Sequence, residues 1–189
     1  MKKLLLHSCC APCSTAVIER LLEDMPDYEI IVYYYNPNIH PKEEYEKRKA
    51  EQIRYIGLLD NKRVTFKDAD YYPDDYFKAV KGLENTEEGG PRCTRCFYLR
   101  LLETCLMAKD LSCNMFGTTL TVSPHKNAEV INQVGKMISA SFDVEFLEAD
   151  FKKKDGYKRS IELAKQNEIY RQNYCGCEFS MWFKNQDKK

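Results

Sequence analysis

The chain has 189 residues, of which 43% are hydrophobic and 31% are charged, the composition of a globular protein with a sizeable core. Lys and Arg together number 29, as do Asp and Glu, so the net charge is zero. The overall charge therefore does not indicate a nucleic-acid-binding protein, and any such contact would require a local basic patch. No apolar run reaches the roughly 18 residues of a membrane span, and no signal-peptide core is present, so we expect a cytoplasmic protein without a membrane partner.

Strand and helix patterns alternate along the first half of the chain. A short buried strand is predicted at 3–9, followed by a helix that has Pro12 in its first turn and apolar residues every three to four positions. The β-branched and aromatic segment 29–35 predicts a second strand. A charged helix at 42–59 and a third strand at 63–68 follow.

The second half continues the alternation after a polar, glycine-containing loop. The predicted elements are a short helix after Pro73, a helix from Cys93, a strand at 115–122, a helix through 130–138, a strand at 144–149 and a helix at 156–166. Such alternation predicts right-handed βαβ units, a mostly parallel sheet and a ligand site at the carboxyl ends of the strands. We expect residues 1–183 to form one α/β domain and residues 184–189 a solvated tail.

Cysteine usage is the unusual feature, because the chain has nine and structural disulfides are rare where thiols are kept reduced. Seven fall into three groups at predicted element ends, namely Cys9, Cys10 and Cys13; Cys93 and Cys96; and Cys175 and Cys177. Cys105 continues an apolar helix face and Cys113 precedes a strand, so both are expected to be structural. Clustered thiols in such a chain indicate metal binding or redox chemistry.

The number of thiols favours one metal cluster plus a separate redox or metal group. One structural zinc or one iron–sulfur cubane takes four thiolates, so seven are three too many for one site and one too few for two. The CxxC spacing serves both metals, so a zinc-stapled fold without catalysis stays open. The loop 8–14 has no glycine to bring backbone N–H groups onto a phosphate, which argues against ATP binding.

Five motifs in order, between His7 and Cys177, resemble a known family. They are HSCCAPCS, YYNPNIHPKEEYEKR, PRCTRCFYLRL, FGTTLTVSPHKN and YRQNYCGC. Together they closely resemble QueH, the cobalamin-independent epoxyqueuosine reductases. The resemblance implies a Rossmann-like α/β fold of the phosphate-loop-ATPase or HUP kind, with helices on both faces of a parallel sheet. It also implies two-electron reduction of epoxyqueuosine to queuosine at the wobble position of tRNA.

The same resemblance implies a 4Fe–4S cluster with further redox or metal chemistry beside it. The expected cluster ligands are Cys9, Cys10, Cys93 and Cys96. The expected catalytic thiols are Cys13, Cys175 and Cys177, acting as a redox dithiol or as ligands to a second iron. An electron donor is required, and the sequence does not identify it.

A folded RNA substrate requires a basic patch on this neutral chain. Residues 150–171 carry seven Lys or Arg against four Asp or Glu, although a solvated charged helix explains 152–154 equally well. The expected substrate-binding residues are Tyr34, Asn36, Arg92, Arg95, His125 and Lys126. Two other functions stay open, a zinc-stapled RNA-binding module and an ATP-dependent or sulfur-transfer tRNA-modifying enzyme on the same fold.

Overall fold

The computed structural model describes residues 1–180, which form a five-stranded parallel sheet with helices on both faces. The predicted domain limit at 183, the predicted tail at 184–189 and Trp182 lie outside these residues. The strands are β1 (Lys2–His7), β2 (Tyr28–Tyr34), β3 (Val64–Asp68), β4 (Met115–Thr118) and β5 (Glu145–Phe146). Their spatial order is β3-β2-β1-β4-β5, and all neighbouring pairs are parallel. The predicted Rossmann-like α/β fold is confirmed.

The connecting helices are α1 (Ala11–Asp24), α2 (Lys42–Leu59), α3 (Pro73–Val80), α4 (Pro91–Asp110), α5 (Ala128–Phe142) and α6 (Gly156–Gln166). Proline occupies the first turn of α1, α3 and α4, where its missing N–H would be unpaired in any case. None of the helices within residues 1–180 combines the length and the apolar character needed to cross a bilayer.

The central strand β1 divides the core into two layers. Leu4 and Leu6 pack on one face with residues of α1, α2 and α6, whereas Leu5 packs on the other face with residues of α4 and α5. Each of these leucines is fully buried, which stabilises the fold by about 1.5–3 kcal/mol per side chain. A register slip of one residue would reverse the two faces, so the hydrophobic pattern fixes the pairing of β1.

Two predicted strands are shorter in the structure by four residues each, whereas the others agree to within two residues at either end. The β-branched segment 115–122 forms a strand only as far as Thr118, because the Thr118 hydroxyl accepts a hydrogen bond from the Leu120 N–H and starts a 3₁₀ turn at Thr119–Val122. The predicted strand at 144–149 pairs with β4 only through Glu145–Phe146. Both changes occur at the carboxyl edge, where β4 and β5 give way to loops.

The strand order places a crevice at the carboxyl ends of β1 and β4. The chain leaves β1 toward β2 and β3 on one side and returns to β4 on the other, and α/β proteins bind ligands where the order reverses in this way. Residues 8–10 follow β1 at this edge, and residues 119–127 follow β4. The fold therefore brings the HSCCAPCS and TTLTVSPHKN motifs side by side.

Candidate thiol site

Three thiols lie together where β1 passes into α1. The Sγ atoms of Cys9, Cys10 and Cys13 all lie within 4.8 Å of one another, and those of Cys9 and Cys10 are 3.7 Å apart. Cys10 is the extended residue before the helix, and Cys13 lies in its first turn. The partial positive charge of a helix N-terminus favours the thiolate form of nearby cysteines, the form that binds metals.

Buried polar side chains hold this loop in place. The Gln52 Oε1 atom on α2 accepts hydrogen bonds from the hydroxyls of Ser8 at 2.8 Å and Ser14 at 3.0 Å. The Asn36 Nδ2 atom donates to the Ser8 carbonyl at 2.8 Å. All four side chains are buried, so these bonds are shielded from water and fix the thiol loop on both sides.

Helix α4 and the segment after α6 bring the remaining clustered thiols to the same edge. Cys93 and Cys96 lie three residues apart at the start of α4, so their side chains share one face of the helix. The Cys177 N–H donates to Cys175 Sγ at 3.4 Å, and the Cys177 sulfur lies 2.9 Å from the Tyr76 hydroxyl. The cysteine pairs predicted from separate motifs therefore meet in space.

Two adjoining cavities open among these groups. The larger has a volume of about 500 Å³ and includes Cys9, Cys13 and Cys175 in its wall. The smaller includes Cys9, Cys93, Cys96, Cys175 and Cys177 in its wall. Six of the seven clustered cysteines therefore line one cavity or the other, and the fully buried Cys10 lies behind Cys9.

Two cations accompany the thiols. Arg100 is 3% exposed, lies in the wall of the smaller cavity and donates from Nε to the Cys96 carbonyl at 3.3 Å. Lys126 lines both cavities. Burial alone would lower the pKa of Lys126, but the negative charges of Cys9 and Cys175 outweigh burial and raise that pKa. Both side chains therefore stay protonated and offset thiolate charge.

The thiols differ in acidity. Hydrogen bonds from Cys10 and Cys13 hold the pKa of Cys9 well below its usual value, and the Cys177 thiol lowers the pKa of Cys175 to about 5. Burial raises the pKa of Cys96 to about 11. Each end of the site thus has one thiol that ionises readily, and a thiolate is the form that binds a metal or attacks as a nucleophile.

The predicted substrate-binding residues separate into two sets. His125 and Lys126 line both cavities, and Arg95 is exposed near the start of α4. Within residues 1–180, the cavity walls do not include the other three, which are Tyr34, Asn36 and Arg92. These three are buried and bond to backbone carbonyls, so in this structure they support the fold beside the cavities, and substrate contact by them stays a prediction.

The contacts of Arg92 and Tyr34 explain why neither side chain lines a cavity. The Arg92 Nη1 atom donates to the carbonyls of Glu84 and Thr86, and this bonding holds the loop before α4. The Tyr34 hydroxyl donates to the Tyr45 carbonyl at 3.1 Å. Their positions in the sequence led us to expect both side chains at the cavity. In the structure both side chains point into the protein.

Sequence reasoning missed Gln172 and Glu88. Gln172 donates from Nε2 to Cys10 Sγ at 3.0 Å and lies in the wall of the larger cavity. Glu88 lines both cavities, and its Oε2 atom accepts a hydrogen bond from the Ser180 hydroxyl. Their only signal in the sequence is position, within YRQNYCGC for Gln172 and next to PRCTRC for Glu88.

The donor set fits a thiolate-bound metal group. The Cys9–Cys10 separation of 3.7 Å matches the distance of about 3.8 Å between two thiolates on one tetrahedral ion with 2.3 Å bonds. Six thiols facing shared space, two protonated cations and an N–H donor to Cys10 supply both the ligands and the charge compensation that such a group requires.

Comparison with known families agrees with the motifs. A family model described as "Epoxyqueuosine reductase QueH" matches residues 4–182. A relative with that name from Streptococcus pyogenes serotype M1 is 43% identical over 180 residues, covering 94% of this chain and 69% of the relative. One from Thermotoga maritima is 36% identical over 184 residues, covering 96% of this chain and 91% of the relative.

Solved structures with little sequence similarity share the fold. The U34-tRNA thiolase NcsA from Methanococcus maripaludis, with its [4Fe-4S] cluster, aligns with a TM-score of 0.56 at 14% identity, over 99% of this chain and 67% of that one. A predicted subunit of tRNA methyltransferase from Methanocaldococcus jannaschii aligns with a TM-score of 0.56 at 12% identity, over 87% and 75% of the two chains. The family match and the identities to relatives confirm the family predicted from the five motifs, and the chain belongs to the epoxyqueuosine reductase family QueH.

Proposed function

We propose that this chain reduces epoxyqueuosine to queuosine in tRNA by removing the epoxide oxygen as water. The reaction consumes two electrons and two protons and leaves a carbon–carbon double bond. The observation that carries the proposal is the wall of the two cavities, where six thiols converge with Arg100 and Lys126 at the carboxyl edge of the sheet. We infer that the reaction takes place in the cytoplasm with an electron donor of unidentified structure.

The larger cavity suits a single modified nucleoside. Its volume of about 500 Å³ lies within the range of about 300–1,000 Å³ that is usual for small-molecule sites. Proteins read single-stranded RNA by accepting unstacked bases into such cavities. His125, Lys126, Cys9 and Cys175 all line this cavity, where they are placed to contact the nucleoside.

We propose that the thiols bind two metal groups. The compact set Cys9, Cys10 and Cys13 would hold one iron, since its sulfur spacing suits a single ion. The remaining thiols, Cys93, Cys96, Cys175 and Cys177, would supply the four thiolates of a 4Fe–4S cluster. When bound, such a cluster supplies electrons one at a time, and the second iron can act as a Lewis acid toward the epoxide oxygen.

This division differs from our expectation that Cys9 and Cys10 join Cys93 and Cys96 on the cluster. Two observations support it. The set Cys9, Cys10 and Cys13 is too compact for ligands of separate iron atoms, and Cys175 lies close enough to Cys93 for the charge on one to raise the pKa of the other. In this division Arg100 and Lys126 lie near the thiols of both groups and balance their negative charge.

The proposed activity is tested on anaerobically purified protein. Iron and sulfide are counted, and tRNA that contains epoxyqueuosine is incubated with the protein and dithionite, then digested and its nucleosides analysed by mass spectrometry. We expect iron, sulfide and conversion to queuosine. A colourless protein that holds only zinc and converts no tRNA would contradict the proposal and favour the zinc-stapled RNA-binding module.

A variant of Cys10 separates the two divisions of the thiols. With Cys10 on the single iron, Cys10→Ser should lose about one iron per chain and keep its sulfide. With Cys10 on the cluster, the same variant should lose most of the sulfide. Cys96→Ser is the matched comparison, because both divisions place Cys96 on the cluster and predict loss of sulfide.

A further inference from the structure

The seven basic residues of 150–171 do not all face solvent. Lys152 turns inward, and its Nζ atom donates to the carbonyls of Thr121 at 3.2 Å and Lys126 at 3.0 Å. Arg159 makes a two-pronged ion pair with Glu19 on α1, with both N–O distances at 2.8 Å. These two residues attach the loop before α6, and α6 itself, to the rest of the fold.

Four others are exposed, and each lies in the wall of the larger cavity or close in sequence to a residue that lines it or contacts its lining. Lys153 and Lys154 lie in the loop that Lys152 attaches to Lys126, and Lys126 lines the cavity. Lys158 follows Tyr157, which also lines the cavity. Arg171 is exposed and belongs to the cavity wall. We name Lys153, Lys154, Lys158 and Arg171 the basic rim.

The rim has few acidic neighbours along the chain. Residues 151–158 contain four lysines and one acidic residue, the exposed Asp155. Glu162, one turn further along α6, is paired with Arg159. On a chain with zero net charge this excess of positive charge is local, and it lies on segments that adjoin the cavity that we assign to the substrate.

We propose that the basic rim binds the sugar–phosphate backbone of the RNA strand on either side of the nucleoside in the cavity, with Tyr157 stacking on a neighbouring base. The inference rests on the proposed function and extends it from one nucleoside to the RNA that carries it. Lysine and arginine side chains bind phosphates largely by releasing counterions, and aromatic rings stack on unpaired bases without regard to sequence.

The test uses the charge-reversed double variant K153E/K154E. Its matched control, K62E/K109E, changes the net charge equally at the amino edge of the sheet, where exposed Lys62 precedes β3 and exposed Lys109 lies in the last turn of α4. Binding of full-length tRNA is measured by fluorescence anisotropy without reductant, at several salt concentrations between about 50 and 200 mM, a range over which such binding weakens strongly.

We expect K153E/K154E to bind at least about tenfold more weakly and the control within about twofold of wild type, because the control charges lie beyond the screening length. The slope of log affinity against log salt should become shallower by about 0.7 for each phosphate that the variant no longer neutralises. The neutral variant K153Q/K154Q should show a smaller change in the same direction, and circular dichroism checks that all variants are folded.

Each other outcome has a definite meaning. Equal weakening in both double variants means that overall charge sets the affinity, which overturns the proposal. Wild-type affinity and slope in K153E/K154E overturn it as well, while the proposed reduction is untouched. Failure of the wild-type protein to bind tRNA at any of these salt concentrations contradicts the proposed function itself.

Discussion

The Gln172 Nε2 atom lies 3.0 Å from Cys10 Sγ, and the two residues are 162 positions apart in the chain. A thiolate that binds a metal carries no proton, so the amide must be the donor in this contact. Hydrogen bonds to metal-bound sulfur orient the ligand and stabilise the charge on the group, so their removal changes its reduction potential. Gln172 is therefore placed to tune the metal group that Cys10 holds.

Gln172→Met keeps the length of the side chain and removes its N–H donor. We expect the variant to shift the reduction potential of the Cys10-bound metal to more negative values, because the donor favours the more negative, reduced state, and to lose about 10–100-fold in metal affinity or activity. Reductive titration followed by electron paramagnetic resonance measures the shift. Gln133→Met, at an exposed position on α5, is the control. An unchanged potential in Gln172→Met would remove the tuning role.

Arg48 holds the segment that carries Cys175. Its side chain is 1% exposed, with Nε donating to Glu44 Oε1 at 2.7 Å, Nη1 to the Cys175 carbonyl at 3.1 Å and Nη2 to the Tyr174 carbonyl at 3.2 Å. Gly176 adopts a φ of +105° beside it, and a Cβ atom there would lie 3.0 Å from Arg48 Nη1. The motif YYNPNIHPKEEYEKR, which ends in Arg48, thus positions the CxC thiols.

Arg48→Met should lower the free energy of unfolding by about 3–5 kcal/mol, because it leaves the largely buried Glu44 carboxylate without its cationic partner, with only the Tyr170 hydroxyl still donating to it. Urea denaturation measures the loss. Arg20→Met removes an exposed pair with Asp24 and should cost less than about 1 kcal/mol. A similar small loss in both variants would show that Arg48 contributes no more than a surface arginine.

The local patterns were sufficient to predict most elements. Pro12 and the apolar spacing predicted α1, and the alternation of strands and helices predicted the parallel sheet and the edge at which the thiols meet. The early end of β4 was not predicted, because one hydrogen bond from the Leu120 N–H to the Thr118 hydroxyl overrides the strand preference of β-branched residues.

The contacts that support the site could not be predicted from the sequence, because they join residues far apart in the chain. Arg48 and Cys175 are 127 positions apart, and a periodic pattern carries no information about contacts at such separation. The same holds for Gln172 and Cys10. Tyr34 was expected at the substrate because it ends β2, and Arg92 because it flanks the CxxC pair, but position in sequence does not determine whether a side chain points outward.

Cys105 and Cys113 should be dispensable for metal binding. Cys105 is fully buried on the core-facing side of α4, and Cys113 is half-buried before β4. Cys105→Ala should lower the free energy of unfolding by about 1–2 kcal/mol through the loss of packing, and Cys113→Ala by less. Both variants should keep the iron and sulfide content of the wild-type protein. Loss of sulfide in Cys105→Ala would show that the division into seven functional and two structural thiols is wrong.

His7 should make the stability of the metal-free protein depend on pH. The ring is fully buried, with Nε2 donating to the Tyr35 carbonyl and Nδ1 accepting from the Thr118 hydroxyl, both at 3.1 Å. Burial, and then the charge of Arg100, lower the pKa of His7 from 6.5 to about 3. In the unfolded chain His7 is therefore protonated below about pH 6.5, whereas in the folded protein it is protonated only below about pH 3.

The contribution of His7 to stability is thus complete above about pH 6.5 and is lost as the pH falls toward about 3, at about 1.4 kcal/mol per pH unit. Between about pH 7 and pH 5 the loss from His7 alone should be about 2 kcal/mol. His7→Gln can keep a donor and an acceptor without titrating, so its urea-denaturation free energy should fall by about 2 kcal/mol less than that of the wild type over this interval. An identical pH dependence in His7→Gln and wild type would mean that His7 does not stay neutral in the folded protein.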